Sequence, residues 1–239
     1  MRKIRVQKVN ISTVVAVVLV AVVACFAMTS PMLVFAVRKA KNIPVVVVDA
    51  GHGGEDAGVV GKTSGMRESD LNLKIALLVG EILKGQGVFV VYTRTNDTAL
   101  KLVESNTRKR SDMFSRGKII NDANADAVVS IHANYFPSEV RRGAQAFFER
   151  KDAESFRLAT AVQDALNVLN LENTKRTYSS LTAEKYILAC SPSPSIIVEC
   201  GFLSNPQDEK LLQDADYLVL LARAIAEGIF AFFDMDTVD

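Results

Sequence analysis

The fold of this chain is decided by Ile43-Pro44-Val45-Val46-Val47-Val48-Asp49, which runs directly into Ala50-Gly51-His52-Gly53-Gly54. The four valines form a short, continuous run of β-branched apolar residues, and a glycine-rich turn ends it. Such a run predicts a β-strand that is buried on both faces, as in a sheet covered by helices. The segment therefore predicts an α/β domain whose first strand leads into a polar loop.

Helical and strand patterns alternate after this first strand. Apolar residues recur at intervals of three and four from Leu71 to Leu83, and Gly85 and Gly87 end that helix. Further strands are predicted at 88–92, 127–131, 144–148 and 195–198. Further helices are predicted at 111–121, 153–169 and 205–233, with a loop at 170–182. The alternation predicts a single α/β domain with an open, largely parallel or mixed sheet flanked by helices.

A hydrophobic segment precedes this domain. The 18 residues from Ile11 to Met28 include no charge, and such a run is long enough to cross a bilayer as a helix. We favour an uncleaved N-terminal membrane anchor over two alternatives, a cleaved signal ending at Val34-Phe35-Ala36 and a lipoprotein signal at Cys25. All three put the rest of the chain outside the cytoplasm. The predicted domains are an anchor with a short linker at 1–43 and a catalytic domain at 44–239.

The charge of the domain limits the classes of partner that it can bind. Seven of the 28 Lys and Arg residues, but none of the 27 Asp and Glu residues, lie in residues 1–43. Residues 44–239 therefore carry 21 basic and 27 acidic side chains, a net charge of −6. Nucleic acid is excluded as a partner because phosphate binding needs a basic face. Cys190 and Cys200 are expected to be free thiols, although the compartment allows a disulfide.

Both histidines of the chain lie where buried strands end. His52 follows the first strand, and His132 lies in Ser130-Ile131-His132-Ala133-Asn134 after the third. In open α/β sheets, ligands collect at the carboxyl ends of the strands. A single histidine at a strand end is more often structural, but two at one edge favour a metal. Two imidazoles and a carboxylate, with water in the fourth position, are the usual composition of a catalytic zinc site.

Spacing alone does not identify the third ligand. Glu68 starts the helix after the His52 loop and can point back across the loop mouth. Its rivals are the other acidic residues nearby: Asp49, Glu55, Asp56 and Asp70. Glu199 follows the buried Ser195-Ile196-Ile197-Val198, where an unpaired carboxylate is costly to bury. We interpret Glu199 as a general base that takes a proton from water at the metal.

Four motifs in this order resemble the N-acetylmuramoyl-L-alanine amidases. They are Val48-Asp49-Ala50-Gly51-His52-Gly53-Gly54, the Glu68 region, Ser130-Ile131-His132-Ala133-Asn134 and Val198-Glu199-Cys200-Gly201-Phe202-Leu203-Ser204-Asn205. The resemblance covers residues 44–233. It implies one zinc ion held by His52, Glu68 and His132, with Glu199 as the catalytic carboxylate, and it selects Glu68 over its rivals. Asn134 is expected to fix its loop or to contact glycan.

Within the family, the chain looks most like the spore-cortex, germination-specific amidases. The resemblance lies in residues 110–121, 142–148 and 170–176. It implies hydrolysis of the amide between N-acetylmuramic acid and L-alanine in cortex peptidoglycan, a step toward muramic-δ-lactam. The expected partners are peptidoglycan and, through the N-terminal segment, the membrane; an accessory protein or a dimer stays open. The alternatives are a zinc-dependent deacetylase of wall sugars and a non-catalytic wall-binding domain.

Overall fold

The first strand, β1, spans Val45–Ala50, and all six residues are buried. Val46 and Val48 belong to the larger hydrophobic core on one face of the sheet, whereas Val45 and Val47 belong to a smaller core on the other. Successive side chains of a strand point to opposite faces, so this all-valine strand needs apolar cover on both. The predicted doubly buried strand is confirmed.

The computed structural model describes residues 17–18, 43–150 and 152–235. From residue 43 onward the elements follow in this order: β1, α1 (Glu68–Gly85), β2 (Phe89–Tyr92), α2 (Arg108–Ala123), β3 (Ala127–Asn134), β4 (Gln145–Phe148), α3 (Ala153–Thr174), β5 (Leu181–Thr182), α4 (Tyr186–Ala189), β6 (Ser195–Phe202), α5 (Pro206–Leu211) and α6 (Ala215–Phe232). The described residues from 44 onward form one compact unit.

The six strands form one mixed sheet in the order β2-β1-β3-β6-β4-β5. The strands β2, β1, β3 and β6 run parallel to one another, and β4 pairs antiparallel with β6 and parallel with β5. The predicted class, an α/β domain with a mixed sheet flanked by helices, is confirmed. The parallel strands bring their carboxyl ends to one edge, where loops and polar side chains meet.

Helices cover the two faces of the sheet unequally. The long helices α1, α3 and α6 pack over the larger core, and α2 and α4 cover the smaller one. Val129 and Ile131 of β3 point into the larger core, so Ser130 and His132, which alternate with them, face the α2 and α4 side. The same alternation in β6 turns Glu199 to that side, between Val198 and Cys200 of the larger core.

Several predicted element boundaries were wrong. The strands β3 and β6 continue to Asn134 and Phe202 instead of ending at 131 and 198, so His132 and Glu199 lie within these strands. Helix α3 continues to Thr174 instead of ending at 169, and β5 occupies part of the predicted 170–182 loop. Asn170 continues the helix because its side-chain amide accepts a hydrogen bond from the Ala144 N–H and donates one to the Ala144 carbonyl, which satisfies this polar group in the interior.

The predicted last helix is two helices. Asn205 caps α5 as expected, with Pro206 at its start, but the chain turns after Leu211 and Asp214 caps α6. The capping side chain of Asp214 starts a second helix. The spacing of apolar residues does not reveal this break, because the apolar pattern continues through it.

The hydrophobic segment at 11–37 lies outside the described residues except for Val17 and Val18. In the part of the chain that is described, no helix is both long and apolar enough to cross a membrane.

Candidate functional site

His52 lies in the loop that leaves the carboxyl end of β1. Its backbone is left-handed, with φ at 60°, a conformation that is uncommon for residues other than glycine. The Nε2 atom lies 3.2 Å from Oε1 of Glu68, and the Nδ1 atom lies 2.9 Å from Oδ2 of Asp56. The two ring nitrogens therefore face two different carboxylates.

Two buried arginines hold the backbone of this loop. Arg94 donates from Nε to the Ala50 carbonyl at 2.9 Å and from Nη2 to the Gly51 carbonyl at 3.0 Å. Arg116 donates from Nη1 to the Ala50 carbonyl at 2.7 Å and from Nη2 to the His52 carbonyl at 2.5 Å. Both side chains are about as buried as the core, at 4% exposure. Three successive carbonyls are thus fixed, which stabilises the unusual conformation of His52.

Asp49 pairs with Arg116, one of the two arginines that hold this loop, and does not belong to the cluster of His52, Glu68 and His132. Its carboxylate pairs with Nη1 of Arg116 at 2.6 Å and accepts hydrogen bonds from the hydroxyls of Ser130 and Thr93 at 2.5 and 2.6 Å. Burial alone would raise the pKa of Asp49, but Arg116 and the two hydroxyls outweigh it and lower the pKa to about 2. The carboxylate is therefore ionised and fully engaged.

Glu68, the first residue of α1, lies between the two histidines. Its Oε1 atom is 3.0 Å from Nδ1 of His132 and 3.2 Å from Nε2 of His52, and it accepts from the Ala133 N–H at 3.2 Å. Its Oε2 atom accepts from the Val59 N–H at 2.8 Å. Burial opposes ionisation, yet hydrogen bonds to the two histidines hold the pKa of Glu68 well below its usual range.

The sheet register places Glu199 beside His132. The two residues are direct partners on the neighbouring parallel strands β3 and β6, so their side chains leave the same face. Oε2 of Glu199 is buried and has no hydrogen-bond partner among the described residues. Burial raises the pKa of Glu199, which suits a group that has to accept and return a proton.

The three predicted ligands fit a divalent metal. One ligand atom each from His52, Glu68 and His132 lie within 4.8 Å of one another, so a single ion can contact all three. The imidazole rings meet edge to face, with centroids 5.0 Å apart. Two nitrogens and one carboxylate oxygen are the donor set of catalytic zinc sites that keep one position open.

The rivals of Glu68 have other partners. Asp56 touches His52 on the ring nitrogen turned away from Glu68. Glu55 pairs with Arg108, and Asp70 lies 3.8 Å from Arg67. The structure therefore brings Glu68 between the histidines and leaves the other acidic residues outside that cluster. Asn134 accepts a hydrogen bond from the Tyr135 N–H and lines the same cavity.

Two glycines of the segment between β1 and α1, Gly51 and Gly58, make room for the predicted ligands, a role that the sequence did not indicate. A Cβ atom on Gly51 would overlap the imidazole of His132, and a Cβ atom on Gly58 would overlap the carboxylate of Glu68. Gly58 also has a left-handed backbone, with φ at 64°. The high number of glycines in the loop after β1 was the one sequence feature that pointed to them. Which side chains these glycines make room for depends on tertiary contacts.

The cluster opens into a cavity of about 430 Å³ at the carboxyl edge of the sheet. Its walls combine the polar site with apolar side chains from α2, α4 and β6, namely Met113, Tyr186, Ile187 and Ile197. Cys190 and Cys200 are both free, as expected. A cavity of this size and mixed lining suits a polar ligand with a small apolar part.

Comparison with known proteins agrees with the geometry. Residues 46–231 match the family model described as N-acetylmuramoyl-L-alanine amidase. The germination-specific N-acetylmuramoyl-L-alanine amidase of Bacillus subtilis is 37% identical over 192 residues, which are 79% of this chain and 79% of that protein.

Solved structures give the same result. The CwlD amidase of Clostridioides difficile, solved in complex with the GerS lipoprotein, is 33% identical with a TM-score of 0.74, over 81% of this chain and 100% of that one. The catalytic domain of CwlV, an N-acetylmuramoyl-L-alanine amidase of Bacillus (Paenibacillus) polymyxa, is 30% identical with a TM-score of 0.69, over 81% and 100%.

Proposed function

Because this chain belongs to the family of N-acetylmuramoyl-L-alanine amidases, we propose that it is a zinc-dependent enzyme that cleaves the amide between N-acetylmuramic acid and L-alanine in peptidoglycan. In this proposal His52, Glu68 and His132 hold the metal and Glu199 is the catalytic carboxylate. The observation that carries it is the set of three candidate ligand atoms within 4.8 Å of one another, beside a buried carboxylate oxygen of Glu199 that has no hydrogen-bond partner among the described residues.

The residues around the ligands support this division of roles. Asp56, at 2.9 Å from Nδ1 of His52, favours the tautomer with a proton on Nδ1 and leaves the Nε2 lone pair for a metal. Asn72 is buried beneath the site, and its Nδ2 donates to Oε1 of Glu68 at 3.3 Å and to the Gly51 carbonyl at 3.2 Å. Zinc, when bound, supplies a Lewis acid that polarises the scissile carbonyl and lowers the pKa of water to about 7.

Glu199 supplies the proton transfers. Its carboxylate accepts the proton of the attacking water while the water oxygen bonds to the amide carbon. The same group then delivers that proton to the amide nitrogen as the carbon–nitrogen bond breaks, because a neutral amine leaves far more readily than an anion. The products are a muramic acid carboxylate and a peptide with a free alanine amine.

The biological setting is also part of the proposal. The similarity to a germination-specific relative supports a role in spore-cortex maturation, where removal of the peptide precedes formation of muramic-δ-lactam. We place the domain at 44–239 outside the cytoplasmic membrane, with residues 1–43 as signal or anchor. A lipoprotein partner is a further element, since a similar amidase was solved with one.

The test uses the purified full-length chain, stripped with a chelator and titrated with zinc in the presence of peptidoglycan. Newly exposed alanine amino groups are labelled and counted. We expect release that depends on zinc and is lost in Glu199→Gln. Release of acetate instead would identify a deacetylase, and zinc binding without any release would contradict the proposed reaction. Absence of muramic-δ-lactam from spores that lack the gene tests the cortex role.

A further inference from the structure

Two exposed lysines line the catalytic cavity without an ion-pair partner. Lys109 lies in the first turn of α2, and Lys185 directly precedes α4. Among the described residues, neither ammonium group lies within 4.0 Å of a carboxylate, in contrast to Lys62, which pairs with Glu139 at 2.9 Å. The third basic side chain of the cavity, Arg116, is engaged by Asp49. Lys109 and Lys185 are thus the two lysines of the cavity that have no ion pair among the described residues.

The two lysines lie on elements that pack against different strands of the site. Lys185 directly precedes α4, which packs against β6, the strand that carries Glu199. Lys109 lies in α2, which packs against β1, the strand that leads into the His52 loop. Lys185 is followed in the chain by Tyr186 and Ile187, which line the same cavity. The Glu199 end therefore combines one free cation with an apolar wall.

The proposed reaction indicates which part of the substrate lies at the Glu199 end of the cavity. Glu199 protonates the leaving amine, so the peptide product has to begin beside Glu199. That peptide starts with the small apolar side chain of alanine and carries at least one carboxylate further along. An apolar wall followed by a cation is complementary to such a product.

We propose that Lys185 binds a carboxylate of the peptide that leaves the muramoyl group, and that it determines preference for acidic stems. The inference rests on the proposed amidase reaction. Lys185 is a specificity residue here, with no part in the proton transfers. An exposed pair between an ammonium group and a carboxylate gives a rate preference of about twofold to fivefold.

The experiment compares two forms of one polymer with the zinc-loaded full-length enzyme. Native peptidoglycan is one substrate, and the same material after conversion of its carboxylates to amides with carbodiimide and ammonia is the other. The ratio of the two values of kcat/KM measures the preference for carboxylates. It is determined for wild type, Lys185→Gln, Lys185→Arg and, as the matched control in the same cavity, Lys109→Gln.

We expect wild type to prefer the native polymer about twofold to fivefold, Lys185→Gln to lose most of that preference through a higher KM, and Lys185→Arg and Lys109→Gln to keep it. Equal loss on both polymers, with a shifted pH profile, would mean that Lys185 only tunes Glu199 and would overturn the inference. Loss of preference in Lys109→Gln alone would overturn it as well. Wild type that cleaves both polymers equally refutes this inference and leaves the amidase standing, whereas cleavage of neither refutes the proposed function itself.

Discussion

Asp49→Asn should destabilise the protein by about 3 kcal/mol, because it removes one of the two carboxylates that pair with the buried Arg116 guanidinium. The lower bound follows from the pKa of Asp49, which falls from 3.8 to about 2 in the fold. A fall of this size in the pKa corresponds to about 2 kcal/mol. The upper bound is the cost of breaking a buried ion pair, about 3 to 5 kcal/mol. Arg116 keeps Asp112 at 2.7 Å, which limits the loss.

The assay is urea unfolding of the full-length chain followed by far-UV circular dichroism, since the protein has no tryptophan to report by fluorescence. The shift of the midpoint at unchanged slope gives the difference in unfolding free energy. Asp122→Asn is the matched control: Asp122 also pairs with a basic side chain, Lys118 at 2.8 Å, but both are exposed on α2. We expect the control to change stability by less than about 0.5 kcal/mol.

A loss below about 1 kcal/mol at Asp49, or one equal to that of the control, would refute a buried ion pair as the support of the loop. A double mutant with Arg116→Gln isolates the pair itself. If the two residues act together, the double mutant loses less than the sum of the single mutants. Purely additive losses would show that each residue acts through its other contacts.

Four further outcomes follow from the same geometry. The stability advantage of wild type over Asp49→Asn should be complete above about pH 4 and shrink as the pH falls toward 2, because the folded pKa of Asp49 lies below the unfolded value; an advantage that persists in urea titrations at pH 2 would contradict this. Gly51→Ala should weaken zinc binding by about tenfold or more by displacing the His132 ring, measured by competition with a chelating dye, whereas Gly85→Ala, where a Cβ meets nothing within 4 Å, should leave it unchanged. Glu199→Gln should lower kcat by at least about a hundredfold with zinc affinity retained, and loss of zinc would reassign Glu199 as a ligand. His132→Ala should lose stoichiometric zinc in metal analysis, and full zinc content with normal activity would remove His132 from the ligand set.

Most of the architecture could be predicted from residue types in order. An all-valine strand, helices with apolar side chains at three- and four-residue spacing, and an Asn-Pro helix start are local patterns, and each formed where predicted. The boundaries that failed depended on distant partners. Asn170 looks like loop sequence until Ala144 is opposite it, and the break before α6 arises from a second cap at Asp214.

The candidate site could likewise be predicted from the sequence in part. Two histidines at strand ends and a carboxylate after an apolar run are visible in the chain, because parallel strands bring their carboxyl ends to one edge. The choice of Glu68 over Asp49 required the family resemblance, since both are acidic and both lie near the same loop. In the structure, Asp49 points at Arg116 and Glu68 points at the histidines.

The order of residues by itself determined the strands, the helices and the edge of the sheet where the candidate site residues lie. Each of these depends on residues that are only a few positions apart in the chain. Only the tertiary structure decided that Arg94 and Arg116 hold the His52 loop, that Gly51 and Gly58 leave space for the side chains of His132 and Glu68, and that His132 and Glu199 are register partners. These contacts join residues from 10 to 81 positions apart. Their distances are set by the packing of whole elements, which no local pattern encodes.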